Sequence, residues 1–312
     1  MTSKTIRIGT RGSQLALWQA NWVKSELEDL YPDLHIELEV IKTSGDKILD
    51  VPLAKVGGKG LFVKEIEQAL MDGQIDIAVH SMKDMPGDLP ESLCIGVIPE
   101  REVPYDILIS QGDKPIKNLP TGARVGTSSL RRASQLLYMR PDIEIFPLRG
   151  NLDTRIKKLT SENLDAIILA GAGVKRLNLE HVISEYIDPE IILPAVGQGA
   201  LCIEVRKADP PVHELIAPLD HAETNRIVKS ERAFLKRLEG GCQVPMAAFG
   251  RIDADTLTLA GMVAETDGSI MHHQTISGPV AQAETIGHDL AGRLIDMGAE
   301  QIIARLSEEG HS

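Results

Sequence analysis

A cysteine beside two glycines and close to a proline is the residue best placed for chemistry in this sequence. Cys242 lies in the stretch Glu239-Gly240-Gly241-Cys242-Gln243-Val244-Pro245. The glycines give the backbone conformational freedom, and the proline fixes the direction in which the chain leaves. The thiol is therefore expected on a turn, where a bulky group could be attached to it, although a chance turn position is the alternative. Cys94 and Cys202 lie within apolar runs and are interpreted as small core residues.

An acidic residue with mostly basic and polar neighbours, Asp84, follows the apolar stretch Ile75–Val79. Ligands of open α/β sheets bind beyond the carboxyl ends of the strands, so Asp84 is a candidate site residue. An ionised carboxylate there could stabilise a developing cation or accept hydrogen bonds from ligand N–H groups. The alternative is a turn aspartate before Met85-Pro86. His80 is interpreted as a packed strand-end residue rather than as a base.

Arginines recur at predicted strand ends, several of them beside glycine or serine. A guanidinium group binds a carboxylate or phosphate through two parallel hydrogen bonds, and hydroxyls and N–H groups at helix starts can complete an anion site. Pairing of each arginine with a neighbouring acid on a solvated face is the alternative. Taken together, the arginines predict a ligand with several negative charges; they are Arg11, Arg131, Arg132, Arg149, Arg155 and Arg176.

A glycine-rich loop enters a predicted helix at Lys55-Val56-Gly57-Gly58-Lys59-Gly60-Leu61-Phe62. It is not a phosphate-binding Walker A loop, because Gly58-Lys59 is followed by glycine instead of serine or threonine. With Thr43-Ser44-Gly45-Asp46 it suggests a basic flap over a cleft. A plain flexible connection is the alternative.

The elements that must position these residues follow a β-α-β rhythm, which predicts mainly parallel sheets covered by helices. The rhythm runs through residues 1–99, restarts over 105–193, and a glycine-rich segment after Pro194 leads into a further strand. Residues 1–99 with 200–217 are therefore predicted as one α/β domain and residues 105–193 as a second. Residues 222–312 change to helix, three alternating strands and helix, which predicts an α+β domain that carries Cys242.

Composition limits the class of protein. The chain has 312 residues and a net charge of −12, which argues against a broad nucleic-acid or anionic-membrane surface. Three cysteines without a Cys-x-x-Cys pair indicate neither a disulfide framework nor a zinc site, so no metal is expected. No apolar run approaches the length of a membrane span, and the first residues lack the apolar core of a signal peptide. The expectation is a cytoplasmic protein without a membrane partner.

The motifs together resemble the porphobilinogen deaminase family, also called the hydroxymethylbilane synthases, over nearly the whole chain. The resemblance rests on seven segments in one order: Gly9–Ser13, Leu53–Phe62, Ala78–Pro86, Val125–Arg132, Leu148–Arg155, Leu193–Ala200 and Glu239–Pro245. It implies two domains like those of periplasmic binding proteins, with the chain crossing twice between them, and a third α+β domain. It also implies a monomeric transferase of haem biosynthesis. Such an enzyme joins four porphobilinogen molecules head to tail with loss of ammonia and releases the linear tetrapyrrole with water.

The resemblance also implies a role for each matching residue. Cys242 would hold a dipyrromethane cofactor through a thioether, and Asp84 would be the catalytic aspartate. The remaining cofactor contacts would be Ser13, Lys83, Asp84, Thr127, Ser129, Arg131, Arg132, Asn151 and Gly199. Contacts to porphobilinogen and the growing chain would come from Arg11, Lys55, Lys59, Phe62, Arg149, Arg155 and Arg176.

Two other classes of protein share part of the pattern. Two α/β lobes around an anion-binding cleft would suit a solute receptor or an effector-sensing domain equally well. Such a module needs neither a thiol at the cleft nor a third domain presenting one. A nucleotide-dependent enzyme is a weaker alternative, because the loop at residues 55–62 fits neither phosphate-binding glycine pattern.

Overall fold

The computed structural model describes residues 5–47, 60, 62–238 and 244–309. These residues form two compact units. The first unit contains the described residues up to Glu102 together with a later part of the chain, Ala200–Asn225. The second contains Val103–Gly199 and the described residues from Arg226 onward. The division into three domains stays a prediction, because the C-terminal region belongs to the same compact unit as residues 103–199.

The sheet of the first unit has five strands, numbered here along the chain: β1 (Thr5–Thr10), β2 (His35–Val40), β3 (Ile77–Ser81), β4 (Leu93–Val97) and β10 (Leu201–Arg206). Their order is β2-β1-β3-β10-β4. β1 is parallel to β2 and β3, whereas β10 is antiparallel to β3 and β4. The central strands are almost fully buried, which agrees with their nearly continuous apolar sequences.

The helices α1 (Gln14–Leu30), α3 (Lys64–Met71) and α7 (Pro210–Ile216) pack against this sheet, and the short helix α2 (Ser44–Lys47) follows β2. In α1 the buried residues Gln19, Ala20, Val23 and Leu27 recur at helical spacing and face the sheet. Ser13 is the N-cap, as its position in the sequence predicts, and its hydroxyl accepts a hydrogen bond from the Ala16 amide at 3.3 Å.

The second unit repeats the strand arrangement with β5 (Asp106–Ser110), β6 (Arg124–Gly126), β7 (Glu144–Phe146), β8 (Ala166–Ala170) and β9 (Glu185–Tyr186). The order is β7-β6-β8-β5-β9, and β5 is antiparallel to β8 and β9. The helices are α4 (Leu130–Met139), α5 (Leu152–Ser161) and α6 (Gly171–Arg176). Each sheet is therefore more mixed than the β-α-β rhythm indicates. The antiparallel strands, β5 and β10, are the first strands after the chain changes unit, so no crossover helix sets their direction.

The C-terminal region contains three antiparallel strands, β11 (Met246–Asp253), β12 (Thr256–Ala264) and β13 (Met271–Pro279), in sequential order. Helices α8 (Ala222–Arg237), α9 (Ala283–Asp296) and α10 (Ala299–Glu309) accompany them. One core joins Phe234 and Leu290 from the helices to Leu259 of β12. The predicted fold class, two α/β sheets followed by an antiparallel α+β region, is confirmed.

Candidate functional site

Asp84 lies at the carboxyl end of the buried strand β3, in a single 3-10 turn formed by Met82–Asp84. The Met82 amide donates to the Ala200 carbonyl at 3.0 Å, and the Met85 amide donates to the Met82 carbonyl at 3.1 Å. Both methionine side chains are buried, whereas Lys83 and Asp84 are exposed. The alternation of buried and exposed residues thus anchors the turn and presents the Asp84 carboxylate to solvent.

A small cavity opens beside this turn. Arg11 and Ser13, which follow β1, lie on its wall together with His80, Ser81 and Asp84 from the end of β3. The Gln19 side chain from α1 donates to the Ser81 hydroxyl at 2.9 Å and so joins helix and strand at the cavity. The wall of this cavity carries both a cation and a carboxylate.

Phe62 contributes the main aromatic surface of the cavity. The Arg11 guanidinium carbon lies 4.1 Å from the centroid of its ring, a cation–π distance. Behind the ring is Gly45, where a Cβ atom would lie 2.2 Å from Phe62 Cε1. Glycine at position 45 is therefore required for the ring to pack where it does. The predicted residues Arg11, Ser13, Phe62 and Asp84 lie on one cavity.

A buried ion-pair network lies at the start of β5 in the second unit. Asp106 is fully buried, and Arg131 and Arg132 are nearly so. Arg131 Nη1 lies 2.7 Å from Asp106 Oδ2, and Arg132 Nη2 lies 2.7 Å from Asp106 Oδ1. Burial alone would raise the pKa of the Asp106 carboxyl, but the two guanidinium groups outweigh it and lower this pKa to about 2. Both arginines therefore do have an acidic partner, in a buried rather than a solvated setting.

Gln198 connects this network to the segment after Pro194. Its amide nitrogen donates to Asp106 Oδ1 at 3.0 Å and to the Pro104 carbonyl at 2.7 Å, and Arg131 also donates to the Leu193 carbonyl. The sequence analysis assigned no role to Asp106 or Gln198. Two features of the sequence point to these residues. Asp106 follows Pro104 by two positions and directly precedes an apolar run, and Gln198 stands between two glycines.

Other predicted residues cluster at the carboxyl ends of β6 and β7. The Ser129 amide donates to the Thr127 hydroxyl at 3.2 Å. This hydrogen bond within the turn after β6 joins two residues that were both predicted to contact the cofactor. Asn151 is the N-cap of α5, and one turn later Arg155 Nε donates to the Gly150 carbonyl at 2.7 Å. Arg149, in the segment between β7 and α5, is half-buried.

Arg176, at the end of α6, is buried and donates to the Gly199 carbonyl at 2.8 Å. Gly199 has a φ of +89°, a left-handed conformation that favours glycine. Arg176, predicted as a substrate contact, and Gly199, predicted as a cofactor contact, are thus hydrogen-bonded to each other.

Some predicted residues lie outside the described part of the chain, namely Lys55, Lys59 and Cys242. Of the other two cysteines, Cys202 is buried, and Cys94 is half-buried with a thiol pKa raised by burial. Both agree with their interpretation as core residues. Within the described ranges, no group of three or more His, Cys, Asp or Glu side chains could hold a metal ion. No helix among the same residues is long and apolar enough to cross a membrane.

Comparison with protein families gives two matches that together span most of the chain. The family described as "Porphobilinogen deaminase, dipyromethane cofactor binding domain" matches residues 6–214. The family described as "Porphobilinogen deaminase, C-terminal domain" matches residues 226–296.

Individual relatives match over nearly their full length. The porphobilinogen deaminase of Syntrophotalea carbinolica is 56% identical over 306 residues, covering 98% of this chain and 97% of the relative. That of Geobacter metallireducens is 57% identical over 306 residues, covering 98% and 96%.

Among solved structures, the chain is similar to the probable amino-acid ABC transporter extracellular-binding protein ytmK from Bacillus subtilis. The identity is 15% and the TM-score 0.44, with 70% of this chain and 90% of that chain covered. A TRAP periplasmic solute binding protein from Desulfovibrio salexigens gives 11% identity and a TM-score of 0.43, covering 70% and 73%.

Proposed function

Because the chain belongs to the porphobilinogen deaminase family, we propose that it joins four porphobilinogen molecules into a linear tetrapyrrole, with loss of ammonia at each addition. The observation that carries the proposal is the family match over residues 6–214 and 226–296, in a chain whose Asp84 lies on the same cavity wall as Arg11. Family membership favours an enzyme over the solute receptor and the nucleotide-dependent enzyme that the sequence left open.

Asp84 is the residue we assign to the bond-breaking step. When ammonia leaves the aminomethyl carbon of porphobilinogen, positive charge develops on the pyrrole and its methylene group. An exposed carboxylate on the cavity wall can accept a hydrogen bond from the pyrrole N–H and offset this charge in the transition state. Arg11 on the same wall suits a carboxylate arm of the substrate, because a guanidinium group binds carboxylates through paired N–H donors.

The donors of the second unit fit a dipyrromethane cofactor, which carries several carboxylate arms. Arg131 and Arg132 are held rigidly by Asp106, and the partly exposed residues Arg149 and Arg155 flank the turns after β6 and β7. When bound, the cofactor supplies the anchored pyrrole that accepts the first substrate unit. Rigid guanidinium groups bind an anion with little loss of side-chain entropy, so this chain contributes a preorganised anion site.

The other cofactor contacts are proposed on the same basis. Ser13, Lys83, Thr127, Ser129, Asn151 and Gly199 lie at strand ends, turns or helix starts, where hydroxyl, amine, amide and backbone groups can contact a ligand. Cys242 is proposed as the thioether attachment point from its match to the family motif. Lys55, Lys59, Phe62 and Arg176 are proposed to contact substrate or growing chain. The protein is further proposed to act as a monomer in the cytoplasm.

The direct test is to incubate the purified protein with porphobilinogen and measure ammonia and bilane together. We expect four ammonia molecules for each hydroxymethylbilane, detected after oxidation as uroporphyrin. Binding of porphobilinogen without ammonia release would indicate a binding module and contradict the proposal. The molar mass measured by light scattering, at the protein concentrations used in the assay, tests whether the protein is a monomer.

A further inference from the structure

A buried acid–base pair lies under the cavity that contains Asp84. β3 and β10 are antiparallel neighbours in which Cys202 lies opposite His80, so Glu204, two residues further on, faces the same side of the sheet as His80. His80 Nε2 lies 3.1 Å from Glu204 Oε2, and the two side chains are 4% and 0% exposed. The sequence analysis interpreted His80 only as a packed strand-end residue, which its burial agrees with.

The surroundings of this pair are unusual for a structural ion pair. Within the described residues, the buried oxygens Glu204 Oε1 and Glu67 Oε1 have no hydrogen-bond partner. Unpartnered buried carboxylate oxygens are costly, and the arrangement therefore calls for an explanation. Burial raises the pKa of the Glu67 carboxyl and the Glu204 charge raises it further, while His80 and Lys64 oppose the rise. Glu67 is thus biased towards its neutral form beside the pair.

Other titratable groups near the pair come from the neighbouring strand β4 and from the end of β10. The Cys94 thiol has a pKa raised by burial and by Glu204, against the opposing charge of Lys207. A raised thiol pKa keeps Cys94 neutral. The carboxylate at hydrogen-bond distance from His80 is that of Glu204.

His80 itself reaches the cavity. It lies on the same wall as Arg11, Phe62 and Asp84, at the last-but-one residue of β3. A histidine whose Nε2–H donates to a carboxylate is held in the tautomer with Nδ1 as the acceptor nitrogen. The same carboxylate then stabilises the imidazolium that forms when Nδ1 takes up a proton. The pair therefore has the arrangement of a general base with its orienting acid.

We propose that His80, oriented by Glu204, is the base that removes the ring proton when a new carbon–carbon bond forms. The proposal rests on the function proposed above. In each addition, the C–N bond of the protonated aminomethyl group (CH2–NH3⁺) breaks, and ammonia leaves with the bonding electrons. The free ring carbon of the preceding substrate unit then forms a bond to the methylene carbon.

The hydrogen on that ring carbon is lost as a proton to His80, and its bonding electrons restore the aromatic pyrrole. The proton passes on to ammonia, so each addition releases one ammonium ion and returns His80 to its starting state. Asp84 and His80 thereby have separate tasks: Asp84 offsets the cation before the new bond forms, and His80 completes the substitution afterwards. Glu204 is a positioning residue that acts through His80.

The test uses porphobilinogen carrying deuterium on its free ring carbon, compared with unlabelled substrate. His80→Gln keeps an N–H donor for Glu204 but cannot accept a proton. We expect kcat to fall by about 10²–10⁴-fold, the usual contribution of a general base. KM and the mass of the bound cofactor should stay unchanged. The deuterium isotope effect on kcat should become larger than in the wild-type protein, because proton removal becomes rate-limiting.

Two further variants make the result decisive. Cys202→Ala alters packing directly opposite His80 without removing an acid or base, and should keep the wild-type isotope effect. Glu204→Gln should lower kcat less than His80→Gln and also enlarge the isotope effect. Equal isotope effects in wild type and both pair variants would overturn the proposal, as would failure of both to fold, which would give the pair a purely structural role. Absence of bilane formation by the wild-type protein would instead overturn the proposed function itself.

Discussion

Arg131 and Asp106 form a bidentate ion pair in the interior of the second unit, with Nη1 2.7 Å from Oδ2 and Nη2 3.2 Å from Oδ1. Arg132 shares the same carboxylate through Nε at 2.9 Å. One buried carboxylate therefore pairs with two buried cations, which explains how the two guanidinium groups remain side by side. An anionic ligand would balance the positive charge that is left over.

Removing the charge of Asp106 should destabilise the protein. Asp106→Asn leaves two nearly buried guanidinium groups without a counter-ion, and breaking such a buried pair typically costs about 3–5 kcal/mol. Denaturant unfolding of the cofactor-free protein measures the change. Asp142→Asn, which breaks the half-buried pair with Arg140, is the matched control and should have a much smaller effect. Equal losses in the two variants would contradict the central role of Asp106.

The ion pairs of Asp106 with Arg131 and Arg132 should make the free energy of unfolding depend on pH in the acid range. The pKa of Asp106 is lowered from 3.8 to about 2 on folding, so its contribution is fully present above pH 3.8. It is lost as the pH falls through about 2, and linkage gives it a size of about 2 kcal/mol. Unfolding free energies measured across this range should fall more steeply for the wild type than for Asp106→Asn. Parallel curves would show that Asp106 contributes nothing to the acid dependence.

The protein as purified should weigh more than its amino acids. A dipyrromethane attached to Cys242 adds the mass of two linked pyrrole units, and the thioether survives denaturation. Intact-mass spectrometry should show the excess in the wild type and in the control Cys94→Ser, but not in Cys242→Ser. Acidic Ehrlich reagent should colour the first two proteins only. A wild-type mass equal to the sequence mass, in an active preparation, would refute covalent attachment.

Loss of the Asp84 carboxylate should abolish most activity without unfolding the protein. Asp84 is exposed, whereas its turn is held by buried Met82 and Met85, so Asp84→Asn should keep the native thermal midpoint. Its kcat should fall by about 10²–10³-fold, the usual effect of removing one electrostatic group from a transition state. Glu91→Gln, an exposed acid in the following loop, is the control. A kcat within a factor of about two of the wild-type value would show that Asp84 takes no part in the reaction, because such a change is far below the loss expected for an electrostatic group.

The packing of Phe62 against Gly45 should affect substrate binding. Gly45→Ala places a methyl group 2.2 Å from Phe62 Cε1, so the ring must shift from beneath Arg11. Loss of a cation–π contact is worth about 0.5–2 kcal/mol, which predicts a KM for porphobilinogen raised by up to about thirtyfold. Gly87→Ala, which meets nothing within 4 Å, serves as the control. An unchanged KM in Gly45→Ala would show that the ring position does not matter for binding.

Local sequence patterns predicted most of the elements around the site. Ser13 caps α1 (Gln14–Leu30), and the strand predicted after the glycine-rich segment that follows Pro194 is observed as β10 (Leu201–Arg206). Capping residues, apolar periodicity and turn residues act over a few positions, so they can be recognised without the fold. Strand β5, which carries Asp106, was not predicted, because its three consecutive apolar residues, Ile107–Ile109, do not distinguish a strand from a buried helix.

The sequence by itself determined the family, most of the element types and the position of Asp84 shortly after a buried strand. Only the tertiary structure decided which residues became partners. Gln198 bonds to Asp106 from 92 positions away, and His80 bonds to Glu204 from 124 positions away. These partnerships depend on which strands become neighbours and in which direction β5 and β10 run. That choice is made by burial of apolar surface over the whole sheet, and no local pattern contains it.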